Sequence, residues 1–417
     1  MFCWCRGGIR TQLGSLVFIV PETTTKTRLA FGLLAYAFAA IMVGTTLPTP
    51  MYALYAQQMH FAVLTTTVIY ATYAGGVLFA LLAFGRWSDA IGRRPVLLAG
   101  VVFALASAAV FLAADSVPLL LVARVLSGLS AGVFTGTATA AVIEAAPEKW
   151  HTRAAAVATV ANIGGLGIGP LLAGLLVEYA PAPLHLSFVV HIVLVLLAGG
   201  AVLIVPETSQ RTGGIGAQRL SVPVEVRTVF IIAGLAAFAG FAVTGLFTAV
   251  APSFLANVVG IDNHAVAGLI ACSIFASSAV AQVAVATMNP QRAVAIGCAI
   301  LVAGMVILAV ALQLSSLAGL IAATVVSGIG QGISFSRGLA AVAERTPPDR
   351  RAEVSSTYFV VAYVAISLPV VGEGLAARQW GLQTAGVTFA VAVAILSTIC
   401  LVAILLEEAK SRRAVAV

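Results

Sequence analysis

The chain has 417 residues, of which 61% are hydrophobic and only 9% charged, and its formal net charge is +7. A soluble globular domain carries roughly 25% charged residues, so this composition excludes a protein whose whole surface faces water. The apolar runs are continuous rather than alternating, which favours membrane-spanning helices over barrel strands. At roughly 20 residues per crossing, twelve spans would use about 240 residues and leave short connections.

Apolar runs separated by charged and turn residues predict twelve spans in two sets of six. The first set lies at 29–56, 62–84, 95–114, 117–145, 153–180 and 184–205, and the second at 228–257, 264–287, 292–313, 316–343, 352–376 and 381–406. We therefore expect an all-α membrane protein with a tail at 1–28, a six-helix bundle at 29–205, a linker at 206–227, a second bundle at 228–406 and a tail at 407–417.

Basic residues are concentrated on one side of this predicted topology. With both termini cytoplasmic, 19 of the 22 Lys and Arg residues fall in cytoplasmic tails and loops, one lies outside and two lie within spans. This asymmetry follows the positive-inside rule and predicts an inner-membrane protein with both termini in the cytoplasm. Because the basic residues lie in short loops between spans, the positive charge indicates a bilayer surface and not a nucleic-acid partner.

The two predicted bundles repeat at an offset of about 200 residues. Gly128 in span 4 is matched by Gly328 in span 10, each in the pattern S-G-x3-G, and Glu144 is matched by Glu344. Parallel six-helix halves that share a site at the midplane are a transporter architecture. The repeat therefore predicts two pseudo-symmetric bundles.

The loop between spans 2 and 3 has a distinctive motif, GRWSDAIGRRP, which begins at Gly85. It matches G-x3-D-x2-G-R-R, motif A of the major facilitator superfamily, which the chain resembles over almost its whole length. In that family the motif is a cytoplasmic gate that holds the outward-open state through span 11. The resemblance gives this role to Gly85, Asp89, Gly92, Arg93 and Arg94. The alternative is a loop that only orients the chain, which explains the arginines but not the spacing of the other residues.

Span 4 carries one arginine, Arg124, followed at intervals of four by Gly128, Gly132 and Gly136. These glycines share a helix face and favour close packing with a neighbouring helix. A charged side chain inside a membrane requires a partner or water. Arg124 resembles the family's motif B arginine, which is implicated in proton handling. A structural ion pair, or a side chain that reaches the membrane surface, is the alternative.

Span 5 contains a third motif, formed by Gly165, Gly169, Pro170 and Gly174, with Ala173 in place of one glycine. Proline removes a helix hydrogen bond and bends the span, while the glycines permit tight contact across the bundle. The pattern resembles motif C, which is associated with proton-coupled exporters. Its position after the other two motifs favours efflux.

The resemblance places the transport pathway along spans 1, 4, 7 and 10. Few charged residues lie there, which predicts an apolar or weakly polar substrate. Packing is the alternative role of each aromatic residue, and pairing near the cytoplasmic end is the alternative for Arg337. The predicted cavity residues are Tyr36, Phe38, Asn162, Phe238, Phe241, Gln282, Gln331, Ser334, Arg337, Tyr358 and Tyr363.

The residue that couples transport to an ion is not evident, because span 1 has no charged residue. The acids nearest the membrane interior are Asp115, Glu178 and Glu373, all toward the outer side. An ion pair with Arg378 is the alternative role for Glu373. His191 is interpreted as a hydrogen-bonded packing residue, and titration near neutral pH is the alternative role.

Together these features predict a secondary active transporter that exports a small amphipathic or drug-like compound in exchange for protons by alternating access. The alternative is a sugar or metabolite transporter of the same fold, working by efflux or proton symport. An enzyme is not expected, because the five histidines are scattered and the five cysteines lack metal-ligand spacing. We expect no metal or other cofactor, a monomer in the lipid bilayer, and a small-molecule substrate and protons as partners. No phosphate-binding loop is present, so uphill transport would require an ion gradient.

Overall fold

A computed structural model describes residues 22–209, 211 and 214–415 of the chain. Within these residues the regular secondary structure is helical, without strands, and twelve helices are long and apolar enough to cross a membrane. This confirms the predicted all-α architecture with twelve spans. Most of the predicted first tail, up to residue 21, lies outside the described residues. We call the end of the bundle where span 1 begins and span 12 ends the terminal face, and the other end the opposite face.

The helix bounds follow the predicted runs closely. Spans 1 to 6 are Glu22–Thr46, Val63–Phe84, Arg93–Leu112, Val117–Glu144, His151–Tyr179 and Leu186–Ile204. Spans 7 to 12 are Arg227–Ala249, His264–Ala284, Pro290–Gln313, Leu317–Arg345, Arg351–Trp380 and Leu382–Val415. Short helices at Tyr52–Met59, Trp87–Ile91 and Ala251–Phe254, and a π-helical turn at Leu255–Val259, extend or connect the spans.

Span 1 differs from the prediction because it is interrupted. Its helix ends at Thr46, and a 3-10 turn at Thr49–Met51 leads into the short helix Tyr52–Met59. Pro48 and Pro50 lack the N–H groups that a continuous helix requires, so the helix breaks there. The last span also differs, since its helix continues to Val415 through most of the predicted tail at 407–417.

The two halves have the same internal packing. In the first half, span 1 packs against spans 4, 5 and 6, and span 3 packs against spans 4 and 6; spans 7 and 9 repeat these contacts in the second half. Between the halves, span 5 packs against span 8, and span 2 against span 11. The internal repeat relates these two contacts to each other, because span 8 is the counterpart of span 2 and span 11 is the counterpart of span 5.

The repeated glycines lie where two helices approach most closely. A Cβ atom at Gly128 would lie 2.9 Å from the Cα atom of Gly76 in span 2. At the equivalent Gly328, a Cβ atom would lie 3.1 Å from the Cα atom of Ile274 in span 8. Gly136 does not share this role, since a Cβ atom there meets no atom within 4 Å.

The linker between the halves is hydrogen-bonded to both of them at the terminal face. The backbone N–H of Gln218 donates to the carbonyl oxygen of Leu82, at the end of span 2, over 2.7 Å. Three residues later, the backbone N–H of Ser221 donates to Thr357 Oγ1 in span 11 over 3.2 Å. The linker therefore connects the motif A loop region to span 11.

Candidate functional site

A cavity lies between the two halves. It encloses about 850 Å³ not occupied by protein atoms, a volume that includes open solvent. Among the described residues that line it, none is an Asp, Glu, Lys, Arg or His. The lining side chains are aromatic, aliphatic, hydroxyl or amide groups and include Thr45, Tyr70, Tyr73, Asn162, Phe241, Phe275, Ser278, Gln282, Gln331, Phe335, Phe359 and Tyr363.

Contacts between spans 5 and 8 lie on the opposite-face side of this cavity. A Cβ atom at Gly174 would lie 3.2 Å from the Cα atom of Gly268. Closer to the opposite face, the Glu178 carboxylate accepts hydrogen bonds from the backbone N–H of His264 over 2.9 Å and from Asn263 Nδ2 over 3.1 Å. A carboxylate of the first half thus sits at the positive N-terminus of a helix of the second half.

Span 2 makes the symmetry-related contacts with the second half. Thr248 Oγ1 in span 7 donates to the Tyr70 hydroxyl over 2.6 Å, and a Cβ atom at Gly374 in span 11 would lie 3.2 Å from the Cα atom of Leu64. In spans 2, 5, 8 and 11 alike, the closest of these contacts lie between the opposite face and the cavity lining. We call the two sets of contacts the opposite-face clamp.

Five predicted cavity residues line the cavity, namely Asn162, Phe241, Gln282, Gln331 and Tyr363. Two of them join a buried polar chain with Ser278, which the prediction missed. Ser278 Oγ donates to Gln331 Oε1 over 2.6 Å, and Gln282 Nε2 donates to Ser278 Oγ over 3.1 Å. This chain forms a hydrogen-bonding site in the wall of the cavity.

The other six predicted cavity residues do not line this cavity, so their placement in its lining was wrong. Tyr358, for example, is one position from the lining residue Phe359 and therefore faces another side of span 11. Tyr36 donates to the Leu194 carbonyl oxygen over 3.1 Å, and Phe38 packs on Phe134. The remaining members outside the lining are Phe238, Ser334, Arg337 and Tyr358.

Arg337 lies near the terminal face. Its Nη1 donates to the carbonyl oxygen of Ala286, just beyond the end of span 8, over 2.6 Å. This arrangement matches the alternative role of Arg337, pairing near a helix end. A guanidinium at a helix C-terminus offsets the negative end of the helix dipole.

Arg124 is fully buried and has an unusual set of partners. Its Nη1 donates to the Thr45 carbonyl oxygen over 2.6 Å, and its Nη2 donates to the Tyr52 hydroxyl. The rings of Tyr52, Tyr73 and Phe111 lie 5.2, 6.0 and 5.7 Å from the guanidinium carbon. Among the described residues, no carboxylate lies within 4.0 Å. Both structural alternatives, an ion pair and a side chain that reaches the membrane surface, were therefore wrong.

The partners of Arg124 depend on the break in span 1. Because the helix ends at Thr46, the preceding carbonyl group of Thr45 is free to accept from the arginine. Thr45 and Tyr73 also line the cavity, so Arg124 lies directly behind its wall. The two prolines at 48 and 50 are the sequence signal for this break.

Two further ionisable residues are buried in the spans. Glu373 is 3% exposed, and its Oε1 has no hydrogen-bond partner among the described residues. No ion pair joins it to the exposed Arg378, so that expectation was wrong. His191 lies 3.2 Å from the Ala40 carbonyl oxygen and packs over Gly44, as expected of a packing histidine.

Motif A forms an ionic cluster at the terminal face, which we call the first corner. Arg93 Nη1 lies 2.5 Å from Asp89 Oδ1, and Arg93 Nη2 lies 2.9 Å from Glu144 Oε1. Arg94 Nη2 donates to the Leu203 carbonyl oxygen at the end of span 6 over 2.5 Å. Among the described residues, no hydrogen bond or ion pair joins Asp89 to span 11.

Glu207 completes the first corner and was missed from the sequence. Its carboxylate accepts from the backbone N–H groups of Arg93 over 2.8 Å and Arg94 over 3.1 Å, at the start of span 3. Burial raises the pKa of Glu207, but bonds from the backbone N–H groups of Ser209, Arg93, Arg94 and Thr208 outweigh it and lower the pKa below its ordinary value. Glu407 lies 200 residues further on, so the internal repeat was the signal that could have found the pair.

Comparison with known proteins places these features in context. A family profile described as Major Facilitator Superfamily matches residues 29–368. The tetracycline resistance protein, class E, of Escherichia coli is 35% identical over 108 residues, which are 26% of each chain. The multidrug resistance protein MdtM of Salmonella typhimurium is 34% identical over 158 residues, 38% of this chain and 37% of that protein. The putative multidrug resistance protein MdtD of Klebsiella pneumoniae is 27% identical over 163 residues, 39% of this chain and 33% of that protein. The matched segments thus span only about a quarter to two fifths of these relatives.

Proposed function

The chain belongs to the Major Facilitator Superfamily of membrane transporters, and on this premise we propose that it exports a small amphipathic or drug-like compound in exchange for protons. The observation that carries the proposal is the central cavity between the halves, whose lining has aromatic and amide groups but no charged side chain. The matched segments of relatives named as drug-resistance proteins support the same substrate class.

The cavity lining favours a compound with a flat apolar body and one or two hydrogen-bonding groups. Phe335 is central to this wall, since its ring centroid lies 4.9 Å from that of Phe241 and 5.8 Å from that of Phe359. Aromatic faces pack on apolar and cationic compounds alike. The polar chain through Gln331 would orient a carbonyl, amine or hydroxyl group of the substrate.

Alternating access would proceed by rocking of the two halves about the cavity. In the conformation described here, the opposite-face clamp lies on one side of the cavity, and the substrate would enter from the terminal face. The density of basic residues at that face supports a cytoplasmic orientation for it. After the clamp separates, Asp89 would leave its pair with Arg93 and hold the terminal face closed through span 11.

Glu373 and Arg124 are the residues that we propose for proton coupling. An ionisable residue inside a membrane is a functional candidate by default, and Glu373 lacks a cationic partner among the described residues. It lies in span 11, one position before Gly374 of the opposite-face clamp. Arg124 stands behind Thr45 and Tyr73 of the cavity wall, so movement of span 1 or span 2 on substrate binding would change its hydrogen bonds.

Reconstitution of the full chain in liposomes tests the proposal. Uptake or release of a fluorescent amphipathic cation would be followed while a pH gradient of either sign is imposed. We expect transport of the dye against the direction of proton flow, and its loss when an ionophore collapses the gradient. Dye transport that is indifferent to the gradient would contradict proton antiport. Competition by a sugar panel, without competition by amphipathic compounds, would favour the sugar or metabolite alternative.

A pair of phenylalanine variants tests the cavity itself. Truncating Phe335→Ala removes the central ring of the wall, and we expect the apparent KM for the dye to rise about tenfold. The matched control is Phe79→Ala, because Phe79 is 59% exposed on the outer surface of the bundle. We expect the control to stay within about twofold of the unaltered protein. If both variants had the same apparent KM for the dye, the cavity would not be part of the transport pathway.

A further inference from the structure

The second half has its own corner at the terminal face, and it is open. A cavity there has about 1260 Å³ not occupied by protein atoms, compared with about 210 Å³ for the cavity at the first corner, and both volumes include open solvent. The two cavities are equivalent in the internal repeat, since Ala141 and Glu207 line the first while Ala341 and Glu407 line the second. We call the larger cavity the second corner.

The second corner combines an apolar wall with a basic rim. Val294, Ala341 and Ile404 are 3%, 6% and 5% exposed and belong to the wall between spans 9, 10 and 12. Three basic residues lie at the rim, namely Arg292, Arg345 and Lys410, together with the acidic Glu407 and Glu408. Among the described residues, none of the three basic side chains forms a hydrogen bond or an ion pair.

The first corner shows what the equivalent position accepts. There the backbone N–H groups of Arg93 and Arg94, at the start of span 3, donate to a carboxylate of the chain itself, Glu207. In the second corner, Arg292 N–H at the start of span 9 is capped only by the neutral side chain of Asn289, over 3.2 Å. Glu407 lines the cavity but makes no such bond among the described residues. Among the described residues, the start of span 9 therefore has no carboxylate bound to it, unlike the start of span 3.

We propose that the second corner binds an anionic phospholipid from the surrounding leaflet. The phosphate lies among Arg292, Arg345 and Lys410, and an acyl chain lies along the apolar wall beside Ile404. Three cations without a partner among the described residues, beside two acids, favour a ligand with net negative charge. Basic pockets between helices at a membrane surface suit lipid head groups. A free phosphate ion would satisfy the rim but would leave the apolar wall uncovered. This inference does not depend on the transported substrate.

Native mass spectrometry of the purified full chain measures the binding directly. The protein in detergent would be titrated with phosphatidylglycerol and, separately, with phosphatidylcholine. We expect one phosphatidylglycerol site whose apparent Kd rises about tenfold or more in the double variant Arg292→Gln/Arg345→Gln. The matched control is Arg153→Gln/Arg219→Gln, which removes the same charge from exposed positions at the same face and should stay within about twofold.

A second variant separates the shape of the site from its charge. Ala341→Leu adds volume to the wall without changing the net charge, and we expect it also to weaken phosphatidylglycerol binding several-fold. Size-exclusion elution and helical circular dichroism would show whether each variant is folded. Unchanged lipid binding in both variants, or equal weakening in the control, would overturn the proposal. Displacement of the lipid by millimolar inorganic phosphate would show that the site binds a free phosphate ion, and would overturn the assignment of a lipid.

Discussion

The two corners of the molecule have the same arrangement of helices and differ in the side chains that occupy them. In the first corner, Glu207 binds the start of span 3 and Arg93 joins two acids. In the second corner, Glu407 stands at the equivalent place without such a bond among the described residues, and the cavity, with open solvent included, is about six times larger. The helices pack in the same order in both halves. Among the described residues this ionic cluster occurs in only one half, so it is not needed to build a six-helix half.

The largest contrast between the corners should come from adding volume. Ala141 is 1% exposed in the first corner, so Ala141→Leu would overpack it and cost about 2 kcal/mol. The equivalent Ala341→Leu enters a large cavity and should change stability by less than about 0.5 kcal/mol. Thermal unfolding in detergent, followed by tryptophan fluorescence, compares the two. Equal losses would show that the second corner is not open in solution.

Removing the charge of the two equivalent acids gives the next contrast. Glu207→Gln weakens two charge-assisted hydrogen bonds between elements and should cost about 1.5 kcal/mol. Glu407→Gln breaks no such bond among the described residues and should be close to neutral. The same thermal unfolding assay applies. A larger loss at Glu407 than at Glu207 would reverse the comparison.

Arg94 gives a smaller effect, because it makes a single bond to the end of span 6. Arg94→Met keeps much of the aliphatic stem and removes the donor to the Leu203 carbonyl oxygen, at a cost of about 1 kcal/mol or less. The equivalent position of the second half is Val294, where Val294→Met serves as the control. Proteolysis at the linker would report the local loosening, and we expect faster cleavage only in the Arg94 variant.

The smallest effect should be a dependence on pH at the first corner. Because the pKa of Glu207 is held below its ordinary value of 4.5, its stabilising contribution is complete above that value and is lost as the pH falls through the folded-state pKa. The difference in thermal midpoint between the unaltered protein and Glu207→Gln should therefore be constant near neutral pH and shrink in acid. A difference that grows on acidification would assign the effect to another group.

Hydropathy and the internal repeat sufficed for the fold, because each membrane span declares itself by length and composition. The helices at Val63–Phe84 and Pro290–Gln313 begin and end within about two residues of the predicted runs. The break in span 1 was harder to place, since the prolines mark a bend without giving the direction of the chain beyond it. Arg124 was singled out from the sequence, but its uncharged partners depend on that direction.

The cavity was predicted less well, because sequence spacing gives the angle between residues on one helix and not the rotation of that helix in the bundle. Phe38 and Tyr358 were chosen for their chemistry, and each packs inside its own half of the molecule. Phe335 and Ser278 were missed for the same reason. Phe335 lies on the same helix as the predicted Gln331, and Ser278 lies across from Gln331. Glu207 was missed because only its pairing with distant backbone groups makes it informative.

The linker bonds at Gln218 and Ser221 have a mechanical consequence for any rocking of the halves. Three residues of extended chain reach about 10 Å, and the two bonds fasten that length to Leu82 in one half and Thr357 in the other. While both bonds persist, the linker is a tether of fixed length that limits how far these two helix ends can separate. The distance by which these two helix ends can separate is then set by a few residues of loop. A larger separation requires one of the two bonds to break.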